Sequence, residues 1–148
     1  WGLFVGGFLV AGIAAAVWQA VNPPETSGHS MVPPDTSNIA QGDPIATVVL
    51  PESLSANAQI GKRIFEAKCA ACHGSNAVGQ DGVAPPLVHK IYEPSHHGDE
   101  SFLRAVTLGV RAHHWRFGDM APVEGLTRGD VAMIVAYIRE LQRANGIN

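Results

Sequence analysis

The chain has 148 residues, of which 46% are hydrophobic and only 16% charged, and its formal net charge is -3. That length suits one small domain with extensions and is too short for two ordinary ones. The slight acidity excludes the strong basic excess of a nucleic-acid binder, and two cysteines exclude a disulfide-rich scaffold and a four-cysteine zinc site.

Charge and proline divide the chain. Before Lys62 there are four acids (Glu25, Asp35, Asp43, Glu52) and no base, whereas 62–148 holds ten bases and nine acids. Six of the ten prolines lie between 22 and 55. Three pieces follow: an apolar segment 1–21, a Pro-rich linker 22–54 and a compact domain 55–148. No internal repeat is found.

Residues 1–21 carry no charge, and as a helix they would span about 31 Å, one hydrocarbon core. Trp1 and Trp18 stand near the two ends, where interfacial tryptophans are favoured. A single transmembrane anchor is therefore expected. The rival reading is the apolar part of a cleaved signal peptide, with Ala14, Ala15, Ala16 and Ala20 as small cleavage positions. No initiator Met or basic leader precedes Trp1, so residues upstream of it are expected. The spacing of Gly2 and Gly6 would let a neighbouring helix approach, although lipid-facing small residues serve as well.

The linker is rich in Pro, Ser, Asn and Gly, with Pro-Pro twice, and is expected to be extended with no core of its own. Ile45 to Leu50 is the exception, an apolar run expected to dock on the domain or on a partner.

Within the domain, Ser55 can cap a helix running to about Lys68, with Ile60, Ile64 and Phe65 on one face. Cys69-Ala70-Ala71-Cys72-His73 is a C-x-x-C-H sequence, the pattern of covalent haem attachment. On one helical turn the two thiols can each form a thioether to a vinyl group, and the next residue places its imidazole under the iron. A redox dithiol or half a zinc site would share the C-x-x-C spacing. The chain has no other Cys and no strand-rich context, and His follows at once.

Ser101 to Leu108 predicts a short middle helix closed by Gly109, with Phe102, Leu103 and Val106 facing inward. Thr127 with Asp130 resembles a capping box that opens a last helix ending near Gly146. Predicted strands are nearly absent, so the domain is all-α.

The second iron ligand is sought among Met31, Met120, Met133 and the other histidines. Met133 lies among Val131, Ile134, Val135, Ile138 and Leu141 at core spacing and reads as packing. Met31 would need the linker to fold over the site. Met120, in Gly118-Asp119-Met120-Ala121-Pro122, sits in a loop suited to a fixed approach and is the expected ligand, with a histidine or an open position as alternatives. Trp115 is a candidate partner of a haem propionate, as are Arg104, Arg111 and Arg116, with plain surface solvation the alternative. His96-His97 and His113-His114 raise copper or zinc binding. Sequence neighbours on a strand or helix chelate one ion poorly, so an exposed or propionate-edge role is expected for them.

From about 48 to 147 the chain resembles a class I c-type cytochrome, the mono-haem His/Met family, in a membrane-anchored form. Gly61 and Phe65, four apart before the haem motif, match the family's N-terminal helix, and Ile134 and Tyr137 match the apolar-x-x-aromatic pair of the helix that crosses it. Pro85-Pro86-Leu87, twelve residues past His73, resembles the segment whose proline carbonyl accepts the ring N–H of the ligating histidine. Leu87 would then pack on the haem face. In the family Pro directly follows the ligand Met, whereas here Ala121 intervenes. The resemblance implies one covalent haem c filling a small core, held by Cys69, Cys72, His73, Pro85, Leu87, Trp115 and Met120, with His73 and Met120 on the iron. Loss of haem should unfold so small a domain.

With both axial positions filled, the expected function is one-electron transfer and not enzymic catalysis. The partners expected are membrane redox complexes: a quinol-oxidising complex, a terminal oxidase or a photosynthetic reaction centre. The chain would serve as a mobile carrier or as a bound subunit. The resemblance places the domain in the periplasm, tethered to the bacterial inner membrane. The alternative is a haem-based catalytic or sensing domain, such as a peroxidase or gas sensor, with a labile distal ligand.

Overall fold

The computed structural model describes residues 12, 13, 15–18, 21, 22 and 30–148. Most of the expected 1–21 anchor therefore lies outside the described residues, Trp1 and the Gly2–Gly6 pair included. No helix among the described residues is long and apolar enough to cross a membrane.

Among the described residues from 30 on, four helices follow in order: α1 (Ala56–Lys68), α2 (Ala70–His73), α3 (Asp99–Leu108) and α4 (Arg128–Ala144). Short 3-10 turns occupy Ser75–Ala77 and Lys90–Tyr92. Among the described residues, extended pairing is limited to two isolated bridges, Gln80 with Ala84 and Val110 with Met120. The all-α expectation agrees with this.

The Ser55 hydroxyl accepts the Ala58 N–H at 3.2 Å and starts α1. Its buried face is Ala58, Gly61 and Phe65. Ile60 was expected there and is instead 40% exposed, with Ile64 partly buried. At about 100° per residue, positions 60 and 64 form a stripe displaced from 58, 61 and 65. The smaller residues were the inward ones.

At α4 the Thr127 hydroxyl accepts the Asp130 N–H at 3.1 Å, and Asp130 accepts the Thr127 N–H at 2.8 Å, completing the capping box. Past its end, Gly146 takes φ +74, and the Ile147 N–H reaches the Gln142 carbonyl at 3.0 Å, turning Ile147 into the core.

α1 and α4 cross in backbone contact. A Cβ on Gly61 would lie 1.8 Å from the Met133 carbonyl oxygen, so only glycine fits. One turn along, Phe65 and Tyr137 pack edge to face at 5.7 Å. The Tyr137 hydroxyl donates to Asn76 Oδ1 at 3.0 Å, holding a turn in which Asn76 and Ala77 both have left-handed φ of 57° and 60°. For Ala77 that conformation costs about 1–2 kcal/mol.

α3 begins two residues before the expected Ser101. Gly98 is its extended N-cap, and Asp99 and Glu100 place negative charge on the positive end of the helix. Phe102, Leu103 and Val106 are half-buried rather than fully inside.

Part of the linker lies along the domain. Gly42 donates to the Asp81 carbonyl, Asp81 to Asp43 and Ala46 to Val78, each at 2.9 Å. Asn145 clamps both main-chain groups of Val49 at 2.8 Å. The Ile45–Leu50 run thus docks on the domain: Val48 packs against the core, while Val49 and Leu50 stay exposed.

Candidate functional site

Cys69, Cys72 and His73 share one turn. The Cys72 and His73 N–H groups both reach the Cys69 carbonyl, at 3.1 and 2.9 Å, and Gly74 at φ +70 ends α2 immediately afterwards. His73 is buried at 9% exposure, Cys69 is half-buried, and Cys72 is exposed. The two thiols are free. Burial pushes the Cys69 thiol up to about 11, and Cys72 adds to the shift. A working redox dithiol needs the opposite, a lowered thiol pKa.

The loop from Gly74 to Val88 brings Pro85 back to the histidine. Its shape depends on Gly79, at φ +76, where a Cβ would meet the Pro86 nitrogen at 2.5 Å. The Gly79 N–H donates to the His73 carbonyl at 2.7 Å, and the Gln80 side chain donates to the Ala71 carbonyl at 3.0 Å.

His73 Nδ1 and the Pro85 carbonyl oxygen are then 2.9 Å apart. A carbonyl can only accept, so Nδ1 carries the proton and Nε2 presents its lone pair. Burial lowers the His73 pKa, although the Pro85 bond opposes the shift, and this favours the neutral, ligating imidazole. Leu87 sits in the core, its N–H on the Ala77 carbonyl at 3.0 Å.

The remaining candidates lie on the 110–120 loop. Val110 and Met120 exchange both backbone hydrogen bonds at 2.9 Å and close its neck. Gly109 at φ +77 backs this neck, since a Cβ there would be 2.5 Å from the Met120 carbonyl. Asp119 accepts the Ala112 N–H at 2.8 Å inside the loop. Met120 is half-buried, Trp115 is buried at 7% exposure, and Arg104, Arg111 and Arg116 are exposed. The Trp115 indole N–H is buried without a hydrogen bond of proper geometry. Its nearby influence is on the Tyr92 hydroxyl, whose pKa burial raises and Trp115 lowers. A buried, unspent donor suits an acceptor such as a carboxylate edge.

Met133 is half-buried in α4, its carbonyl turned to Gly61. The Met31 main chain lies beside the His114 ring, so the linker does reach this side of the domain.

Two features lay outside the sequence reading. Arg139 is buried at 7% exposure and donates to the carbonyls of Tyr92 (2.7 Å) and His97 (2.5 Å), to Asp99 (2.9 Å) and to Gln142 (2.6 Å). Gln142 in turn donates to the Leu87 carbonyl at 2.8 Å. The signal was an Arg and a Gln three apart on an apolar helix face, where such residues must be paired. The other feature is that the two histidine pairs converge.

The residues present fit a covalently held haem: two free thiols and a lone-pair nitrogen on one turn, with an unspent buried donor elsewhere. The model of the cytochrome c family matches residues 58–142, while neither curated proteins nor solved structures yield a match. That family carries covalently attached haem c, typically one, and works in haem-based electron transfer. The helical architecture, the His73–Pro85 pair and the family match over more than half of the chain agree, and the chain belongs to the cytochrome c family.

Proposed function

We propose that the chain is a class I, mono-haem cytochrome that passes one electron at a time between respiratory or photosynthetic membrane complexes. In this reading it is tethered by residues 1–21 with its haem domain in the bacterial periplasm, as a mobile carrier or a bound subunit. It is not itself an enzyme. The uncharged length of 1–21 supports the tether.

The observation that carries the reading is the hydrogen bond from His73 Nδ1 to the Pro85 carbonyl, which fixes the imidazole with Nε2 available to iron. Cys69 and Cys72 would hold the porphyrin by thioethers. Met120, fixed by its pair of backbone hydrogen bonds with Val110, would supply the second iron ligand, and Leu87 and Trp115 would line the pocket. Haem held by imidazole and thioether supplies a one-electron couple of high potential. The protein's share is to exclude water, fix the His73 tautomer and keep both ligands in place, so that little moves when the charge changes.

The test is ligand access. The oxidised protein should show the weak far-red band of a methionine–iron bond, lost in Met120→Leu, and the reduced protein should resist carbon monoxide at neutral pH. Ready carbon monoxide binding by the unsubstituted protein would favour a catalytic or sensing haem domain instead.

A further inference from the structure

We propose that His96, His97 and His114 form a second metal site, separate from the C-x-x-C-H centre, that takes a borderline divalent ion such as Zn2+ or Cu2+. One ring nitrogen from each of the three lies within 4.8 Å of the others. His96 Nε2 and His114 Nε2 are 3.2 Å apart. With metal–nitrogen bonds of about 2.0–2.1 Å, two ligands of a tetrahedral site stand about 3.3 Å apart. That pair is already at ligand spacing, and His97 needs to close by on the order of 1.5 Å.

Adjacent histidines chelate one ion poorly from a helix or strand, but neither pair lies on one. His96 and His97 occupy the tight turn after Glu93, whose carbonyl accepts both of their N–H groups at 3.1 and 2.8 Å. His113 and His114 lie in a bend of the 110–120 loop. The four rings pack with centroids 4.5–5.9 Å apart.

The site also has a supporting shell. His97 Nδ1 donates to the Ile91 carbonyl at 2.6 Å, leaving Nε2 as its free lone pair, the arrangement seen at His73. Arg139 holds the His97 carbonyl from α4, so the turn is anchored to the core. The Met31 main chain lies beside the His114 ring. His113 donates through Nδ1 to the Arg111 carbonyl at 2.9 Å and lies outside the group of three whose ring nitrogens converge. Burial and the neighbouring imidazoles lower the pKa of His97 and His114, which keeps protons from competing at neutral pH. Three imidazoles without a carboxylate select Zn2+ or Cu2+ over Mg2+ or Ca2+.

The experiment uses the full haem-loaded chain, stripped with a chelator and titrated with Zn2+ by calorimetry and with Cu2+ by electron paramagnetic resonance. The expected result is one site per chain, with nitrogen splitting from three imidazoles on Cu2+. Affinity should fall at least about tenfold in His96→Gln, His97→Gln and His114→Gln, whereas His113→Gln should keep it, with the haem spectrum unchanged throughout. Binding unaffected by the three substitutions, or copper carrying one nitrogen or none in the unsubstituted protein, would overturn the proposal. The second readout needs no variant to fold.

Discussion

Gly61 and Met133 meet backbone to backbone where α1 crosses α4, at a separation that leaves no room for a Cβ. Everything that positions the C-x-x-C-H turn hangs from this crossing, because Phe65 and Tyr137 pack one turn further on and Tyr137 pins the Asn76 turn.

Gly61→Ala tests the crossing. Helix propensity alone would make the change favourable by about 1 kcal/mol. Overpacking against a backbone that cannot rotate away costs about 3 kcal/mol or more, so the steric effect wins. Urea unfolding should show a large loss of stability. An unchanged midpoint would mean that the two helices do not touch here.

Arg139 and Asp99 should respond very differently although they are paired. Arg139 is buried and serves four acceptors, so Arg139→Met strands the His97 carbonyl and the Gln142 side-chain oxygen, while the Tyr92 carbonyl keeps Gln142, and should cost at least about 3 kcal/mol. The Asp99 carboxylate is 71% exposed, so Asp99→Asn should cost under about 1 kcal/mol. Equal losses in thermal melts would contradict the hub.

Acid should destabilise the fold through the histidines. The pKa values of His97 and His114 lie below their ordinary value of 6.5 in the folded chain, chiefly through burial. The unfolded chain then binds more protons below pH about 6.5, so the histidine contribution is present above that value and is lost as pH falls toward the folded pKa values. His97→Gln should lose less stability than the unsubstituted protein between neutral pH and pH about 5.5. A steeper loss in the variant would reverse the sign of the argument.

What the sequence made legible is what short spacing controls. Cys69, Cys72 and His73 form one turn in any helical context, and the Thr127–Asp130 box and Ser55 cap are equally local. The Pro85 carbonyl and the Gly61–Tyr137 crossing came from family resemblance and now have distances. Ile60 was misplaced because hydrophobicity was weighted over smallness at a close crossing. The start of α3 was set two residues late, at Ser101, because the N-cap is an extended glycine, Gly98, with no side chain to signal it. The histidine pairs were named from the sequence, but their convergence and the Arg139 hub were not legible for another reason: they join residues 18 and 42 positions apart, through loops whose shape depends on the finished core.

The most direct measurement is the intact mass of the protein after maturation in a periplasm competent for haem attachment, followed by mapping of the peptide that spans residues 69–73. The account predicts a mass increased by one haem that survives denaturation and localises to Cys69 and Cys72. A bare polypeptide would contradict it at the root.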